Sequence, residues 1–493
     1  MLDPMRLIRF KLALVMLTAG ALCSQTADVA QRLAGRALGS TPMLADLRQL
    51  CDGIGGRPTG SPACERAIQW AAAKFKAIGV DAVSTEPFMV PARWAAVSAE
   101  ARCLAPVAFA LRVAAAPATS STPGAIEALL VDAGAGTAES FAQLGGRARG
   151  AIALVSNPEM KTFDDLFAEY MRAGPLIEAA RKAQVAAILL ESSRPRGLLY
   201  RHPMDINGGL VPVPVAIVSR EHATRLARLA ETGAVRVRLN LANQTGGPYE
   251  SRNVIGEIRG RERPDEIVLL GAHLDSWDLG TGAEDNGVNA VMAIDAARGI
   301  RQMGVKPRRT IRFVLFTGEE QGLFGSRGYV KRHAAEMDRH TAAVIFDTGS
   351  GRTTGFFLSG REDLRTPLEK ALAGVAGLGA AENPPDALDG TDNFDFLLAG
   401  VPNLVANQDA IPYLPDYHAE SDTFDRVNPR EAQINAAIAT ALIWRLADDP
   451  ERFGRRLTHA EVEKQIVDTK LDIQMKAFGQ WDDWAAGRLG LSK

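Results

Sequence analysis

Between Gly271 and Gly287 the chain reads GAHLDSWDLGTGAEDNG, and further on it carries the pair Glu319-Glu320. The first stretch places a histidine, several carboxylates and glycine-rich turns directly after the apolar run Ile267–Leu270. Side chains at the carboxyl end of a buried strand in an α/β sheet face the crevice where ligands bind. Neutral imidazole and ionised carboxylate held there are the ligands that a divalent cation such as zinc takes. The same arrangement recurs along the chain. His273 follows Ile267–Leu270, with Asp275 two positions on and suited to support the ring; Gly318, Glu319 and Glu320 follow Thr310–Thr317. Asp347 follows Ala342–Phe346, and a loop leads from Asn403–Asn407 to His418. Asp285 stands before a helix starting at Gly287, where backbone donors hold a carboxylate. Singly these signals are weak, because lone histidines are mostly structural or solvated and a Glu-Glu pair mostly starts a wet helix. His202, His222, His333, His340 and His459 are read that way. Recurrence of ligand types at successive strand ends is what points to metal-assisted chemistry.

The elements that must position these groups follow from periodicity. From 250 to 448, strand candidates alternate with helices: Asn253–Ile258, Ile267–Leu270, Thr310–Thr317, Ala342–Phe346 and Asn403–Asn407, with helices at Gly287–Met303 and Pro429–Leu446. That alternation predicts an α/β fold, a mixed and mostly parallel sheet sandwiched by helices. Upstream, residues 40–85 read as helix, Gly/Pro-rich loop, helix, the second helix running from Ala63 to Gly79. Between about 90 and 245, short strands (Ala151–Val155, Ala186–Leu190, Val215–Val218) alternate with helices at Leu176–Ala183 and Glu221–Glu231. Val235–Leu241 alternates strictly, as a half-exposed strand does. This region has no cluster of metal ligands and reads as a smaller, β-rich α/β domain inserted in the main one. The expected boundaries are a leader over 1–27, an N-terminal part of the main domain over 28–90, the insert over 91–247, the catalytic part over 248–450 and an extension over 451–493. The extension is polar and tryptophan-spotted, and nothing in its sequence assigns it a function.

The chain's 493 residues suffice for two or three domains, and 46% hydrophobic residues is ordinary for a globular protein. Its 56 basic and 58 acidic residues leave a formal charge of −2, with no basic footprint for nucleic acid. Arg6, Arg9 and Lys11 precede the short apolar stretch Leu12–Leu22, the form of a secretory signal and too short for a comfortable membrane span. A secreted or periplasmic protein with no stable span after processing is expected; Leu22 before Cys23 disfavours a lipid anchor. Four cysteines do not make a disulfide framework, and a single Cys51–Cys64 bridge is the one pairing weighed, against plain burial.

HLDSWDLGTGAEDNG, FTGEEQGLFGS, VIFDTGSG and YHAESDTFD together resemble the co-catalytic zinc exopeptidases of the aminopeptidase family. HLDSWD and DNG are most similar to its carboxypeptidase Q branch; Gly56–Ser61 and Arg252–Glu257 also match family blocks. The insert resembles a protease-associated domain. The resemblance spans about 40–450 and implies two Zn2+ ions bridged by Asp285. One would also take His273 and Asp347, the other Glu320 and His418; Glu319 would be the general base and Asp275 the carboxylate behind His273. It further implies a cis Asp285–Asn286 bond, short peptide substrates and an assembly compatible with a homodimer. The family often has another acidic or small residue where this chain has Asn286, a departure that affects no ligand. Paired cations acidify a shared water and polarise the scissile carbonyl. The leading expectation is an exopeptidase, aminopeptidase-type by preference, with a carboxypeptidase Q-like dipeptidase, an N-acyl amino acid hydrolase, a single-zinc cyclotransferase and an inactive receptor-like module as alternatives.

Overall fold

The computed structural model describes residues 29–490, so the expected leader lies outside the described residues. Fifteen strands run in chain order: β1 Ala82–Val90, β2 Arg93–Ala105, β3 Phe109–Leu111, β4 Val113–Ala115, β5 Ile126–Asp132, β6 Ile152–Val155, β7 Ala187–Glu191, β8 Val215–Val218, β9 Arg236–Gly246, β10 Tyr249–Ile258, β11 Arg263–His273, β12 Arg309–Phe316, β13 His340–Ile345, β14 Thr353–Phe357 and β15 Asn403–Gln408. Seven form one sheet, in the order β1-β10-β12-β11-β13-β15-β14. Its middle strands β12, β11, β13 and β15 are mutually parallel, while β1, β10 and β14 join antiparallel. The fold is thus a mixed α/β sheet with a parallel centre.

Burial explains the centre. β12 and β13 are buried along their whole length, as strands covered on both faces must be. Alternation sorts their side chains. Val268 and Leu270 pack with Ile68, Phe75, Ile294 and Ile438 from the helices Pro62–Ile78, Val288–Gln302 and Pro429–Asp448. Leu269 points the other way, into a cluster with Tyr329 and Phe396 from Phe324–Arg332 and Asn393–Leu398. Helix ends follow local chemistry: Ser61 accepts the Cys64 N–H and Pro62 opens the helix, which Gly79 closes at φ 75°.

The other eight strands form a second sheet, β3-β2-β9-β5-β6-β7-β8-β4, made wholly from residues 93–246. The chain crosses to it and back on neighbouring strands: Val90 pairs with Tyr249 in the first sheet, and Arg93 with Gly246 in the second. In β9, Val237, Leu239 and Leu241 are buried while Arg236 and Arg238 are exposed, the alternation its sequence predicts. The helix expected at Leu176–Ala183 is longer, Phe163–Ala183, and runs through Pro175. Its first half is held by tertiary burial of Leu166 and Glu169. Edge strands β1 and β14 were not expected; β1 contains Pro87 and is largely exposed, so it lacks an apolar pattern. The extension folds into the helices His459–Asp468, Leu471–Ala477 and Trp481–Ala485, which pack Ile466, Met475 and Trp484 against Phe394 and Leu398. No Cys51–Cys64 bridge forms: Cys51, Cys64 and Cys103 are free and buried.

His340 illustrates a structural histidine. Its Nδ1 donates to the Glu336 carbonyl at 3.0 Å and its Nε2 accepts from the Tyr329 hydroxyl at 2.8 Å, so the folded chain holds it neutral. Burial pushes it from 6.5 down to about 3. A depressed folded-state value means that the contribution to stability is present above about pH 6.5 and is lost as pH falls towards 3. The His340→Gln variant should therefore lose less Tm than wild type between about pH 7 and pH 5, where a free imidazole takes up its proton. Parallel Tm profiles would remove His340 from the acid response.

Candidate metal centre

All the singled-out groups lie beyond the carboxyl ends of the parallel strands. His273 is the last residue of β11 and pairs with Phe316, the last residue of β12, so the Glu319-Glu320 turn emerges beside it. Asp347 lies just past β13, and His418 lies in the long loop after β15. Asp285 sits in an irregular turn, at φ −118° and ψ 90°, just before the helix Val288–Gln302, and its bond to Asn286 is cis.

These residues form two groups that share one member. His273, Asp285 and Asp347 could hold one ion and Asp285, Glu320 and His418 another, the ligand atoms of each group lying within 4.8 Å of one another. His273 Nε2 is 3.1 Å from Asp285 Oδ1 and 2.9 Å from Asp347 Oδ1. His418 Nε2 is 3.3 Å from Asp285 Oδ2 and 2.8 Å from Glu320 Oε2. Asp285 therefore turns one oxygen to each imidazole. Both rings use Nδ1 on a backbone carbonyl: His273 on Asp275 at 3.1 Å, His418 on Arg201 at 3.0 Å. A carbonyl only accepts, so Nδ1 carries the proton and a neutral ring presents a bare Nε2 to the centre.

A bare nitrogen facing carboxylate oxygens at such distances is repulsive unless positive charge, a second ring proton or a metal cation, lies between them. Consistently, Asp285 Oδ2, both Glu320 oxygens and Asp347 Oδ1 are buried without hydrogen-bond partners. Burial pushes the Glu319 carboxyl well above the usual range, Glu320 up to about 7 and Asp347 upward. At Asp285 burial acts in the same sense, but the His273 hydrogen bond and the His418 charge hold the carboxyl below its ordinary value. Burial lowers both imidazoles; Asp347 and Glu319 more than offset this at His273, and Glu320 at His418. Such crowding of acid groups is relieved by divalent cations. The donor set fits zinc: nitrogen and oxygen ligands, three protein groups at each position.

Glu319 stands apart. Its side chain is 12% exposed against 1% for Glu320, so it faces the opening while Glu320 faces inward. Its Oε2 lies 4.0 Å from His273 Nε2. The turn carrying it is fixed by the Gly318 N–H, which donates to Thr59 Oγ1 at 2.7 Å and to Asp275 Oδ2 at 2.9 Å. Asp275 stands behind His273 and touches its ring twice. β11 ends at His273, so Asp275 lies past the strand; its backbone carbonyl holds the ring, with its carboxylate 3.5 Å from Nδ1 and mainly engaged by Thr59 and Gly318.

Three supporting residues escaped the sequence reading. Asp422 accepts the N–H groups of Ala283, Glu284 and Asp285 at 2.9, 2.7 and 3.2 Å, fixing the Asp285 turn. Fully buried Arg57 donates to the Leu274, Thr281 and Gly282 carbonyls and ties the two ends of that loop together. Thr59 is the third. All lie inside the blocks GRPTGS and YHAESDTFD, which were the available signal. Removing the Asp422 carboxylate leaves buried donors unpaired, at about 1–3 kcal/mol each. Asp422→Ala should thus lower the Tm more than Asp422→Asn, which keeps an acceptor; equal melting of both with wild type would rule out the cap.

A parallel-centred α/β sheet with imidazoles and carboxylates converging at its strand ends defines a metallohydrolase. The model of Peptidase family M28 matches residues 253–443. Carboxypeptidase Q of Rattus norvegicus is 29% identical over 413 residues, covering 82% of this chain and 85% of that protein. A solved peptidase M28 precursor from Shewanella amazonensis is 30% identical with a TM-score of 0.81, covering 88% of this chain and 100% of that one. BSAP, a zinc aminopeptidase from Bacillus subtilis, shares the fold at 20% identity and a TM-score of 0.65, covering 85% of this chain and 97% of its own. The chain belongs to Peptidase family M28, the co-catalytic zinc exopeptidase family whose motifs it carries, and it is a metallopeptidase.

Proposed function

We propose that this chain is a secreted two-zinc exopeptidase that removes the terminal residue of short peptides, with the amino end preferred. The observation that carries the two-ion reading is Asp285, whose two oxygens address His273 and His418 separately. His273 and Asp347 complete one site, Glu320 and His418 the other. When bound, zinc supplies Lewis acidity that polarises the scissile carbonyl and acidifies water. The protein's own contribution is then to handle the proton. Glu319, at the opening, accepts a proton at Oε2 from the attacking water and delivers it to the departing amine nitrogen. Its burial beside anionic neighbours suits a base that releases its proton again within one turnover. Asp275 and Thr59 hold the Glu319 turn, and Asp422 and Arg57 hold Asp285.

Amino-end cleavage is supported by charge. The crevice beside Asp285, Glu320 and His418 has no lysine or arginine among its described lining residues to receive a terminal carboxylate. Asp389 and Asp392 lie buried without hydrogen-bond partners, and burial pushes both carboxyls up, to about 7 at Asp389, although the His273 charge beside Asp392 opposes the shift there; a cationic ammonium group would favour their ionised forms. Residues 91–247 are read as an inserted protease-associated domain, and the basic-then-apolar start of the chain as an export signal. Among the described residues no helix is long and apolar enough to cross a membrane.

Metal analysis with end-blocked dipeptides tests this reading. Wild type should hold two zinc ions per chain and His418→Ala one; amine-blocked substrates should resist cleavage while carboxyl-blocked ones are cut. The opposite blocking pattern would reverse the end preference, and full zinc in His418→Ala would remove it from the site.

A further inference from the structure

The two halves of the centre are supported differently. His273 rests on the Asp275 carbonyl, in the loop that continues its own strand. His418 takes its ring acceptor from elsewhere: it stands at φ 58°, a left-handed conformation rare for a residue with a side chain, in a turn closed by the Ala419 N–H on the Asp416 carbonyl at 2.9 Å. Part of its support comes from residues 93–246. The Arg201 carbonyl accepts from His418 Nδ1 at 3.0 Å, and the Arg201 N–H donates back to the His418 carbonyl at 3.0 Å. On either side, Tyr200 bridges to Ala419, and the Glu420 N–H donates to the Leu199 carbonyl at 3.0 Å. Residues 199–201 thus form a short antiparallel rung for the loop that carries the ligand. The preceding ring is held too: Tyr417 stacks on His418 at 3.7 Å, and its hydroxyl pairs with that of Tyr170 at 2.9 Å. Arg201 is itself fixed by a bidentate pair with Asp278, at 2.8 and 3.0 Å.

The other private ligand of this half is reached from the same side. At Gly322, two residues after Glu320, a Cβ would lie 2.0 Å from the Ile206 carbonyl, so the 200–208 loop abuts the Glu320 turn as closely as backbone allows. We propose that the 93–246 unit is part of the second zinc site, with Arg201 as its positioning residue, so that docking of this unit and occupation of the Glu320/His418 site strengthen each other. The inference rests on the reading of His418 as a zinc ligand. Its physical basis is reciprocity: if docking raises the affinity of that site by some factor, zinc there favours docking by the same factor. The His273/Asp347 site, built within the first sheet, has no such dependence.

Chelator titration of the zinc-loaded protein, followed by native mass spectrometry, tests the asymmetry. Arg201→Met keeps the carbonyl that His418 uses but frees it from the Asp278 clamp; it should release its first zinc more readily than wild type, by no more than the about 10- to 100-fold that loss of the orienting group itself carries, and its second zinc as wild type does. Tyr170→Phe, which removes only a hydroxyl, should shift the same step in the same direction by less. Loss of both ions together, or no change in either step, overturns the proposal, since a merely structural defect would weaken both sites alike. Hydrogen exchange on wild type supplies the reciprocal readout. The Arg201 and Glu420 amides should slow on passing from one zinc to two, and unchanged exchange at both overturns the coupling. His418→Ala retaining two zinc ions would instead show that the metal assignment beneath it is wrong.

Discussion

Glu319→Gln is expected to lower kcat by about 10²–10⁴-fold, the contribution of a positioned general base, with zinc content at the wild-type level. Glutamine keeps the shape of the side chain and cannot take a proton. The separation of effects follows from geometry. Glu319 belongs to neither group of three converging ligands, and its side chain is the more exposed of the adjacent pair. The turn beneath it is held through the Gly318 N–H and not through its own carboxylate. The substitution therefore leaves the neighbouring Glu320 in place. KM should move far less than kcat, because the proton is transferred only as the bond breaks. Steady-state kinetics on a dipeptide, with zinc measured on the same sample, gives the answer. A variant that turns over at the wild-type rate would move the base elsewhere, and one that loses zinc would make Glu319 a ligand.

Four of the five converging side chains were legible because each follows an apolar run that becomes a central strand, and Asp285 because it stands in a glycine-rich turn before the helix Val288–Gln302. β11, β12, β13 and β15 each contain a short aliphatic stretch in the sequence, as burial on both faces favours. What holds the ligands was less visible. Asp422 caps a turn 137–139 residues away, and Arg57 clasps carbonyls more than 200 residues along the chain; backbone acceptors and donors leave no trace in residue type. Asp275 was assigned a role through its carboxylate, while the closer contact with His273 runs through its main-chain oxygen. The Phe163–Ala183 helix was read only in its second half because Gly174-Pro175 ends a helix on local grounds; burial of Leu166 and Glu169 against the rest of the unit outweighs that. Likewise the extension has a polar composition, yet its few apolar residues, Trp484 among them, suffice to dock it.

Asp285→Ala is expected to abolish binding at both positions, a larger effect than loss of either histidine. The reason is its shared place: its Oδ1 lies 3.1 Å from one imidazole and its Oδ2 3.3 Å from the other, so each group of three falls to two ligands at once. The same change removes the negative charge that keeps two neighbouring cations from repelling each other. Wild type should melt higher with zinc than after chelation, by an amount set by mass action, about 4 kcal/mol of stabilisation at a thousandfold excess over Kd. The Asp285→Ala protein should melt at one temperature with or without zinc, and its activity should fall below detection. Because Asp422 binds the main-chain N–H groups of this turn and not its carboxylate, the turn survives the substitution and the loss is attributable to the missing ligand. Asp285→Asn sharpens the comparison, since it preserves the shape and one acceptor oxygen while discarding the charge. If either variant still bound a single zinc with wild-type affinity, Asp285 would serve one ion only, and the paired centre would reduce to two independent sites.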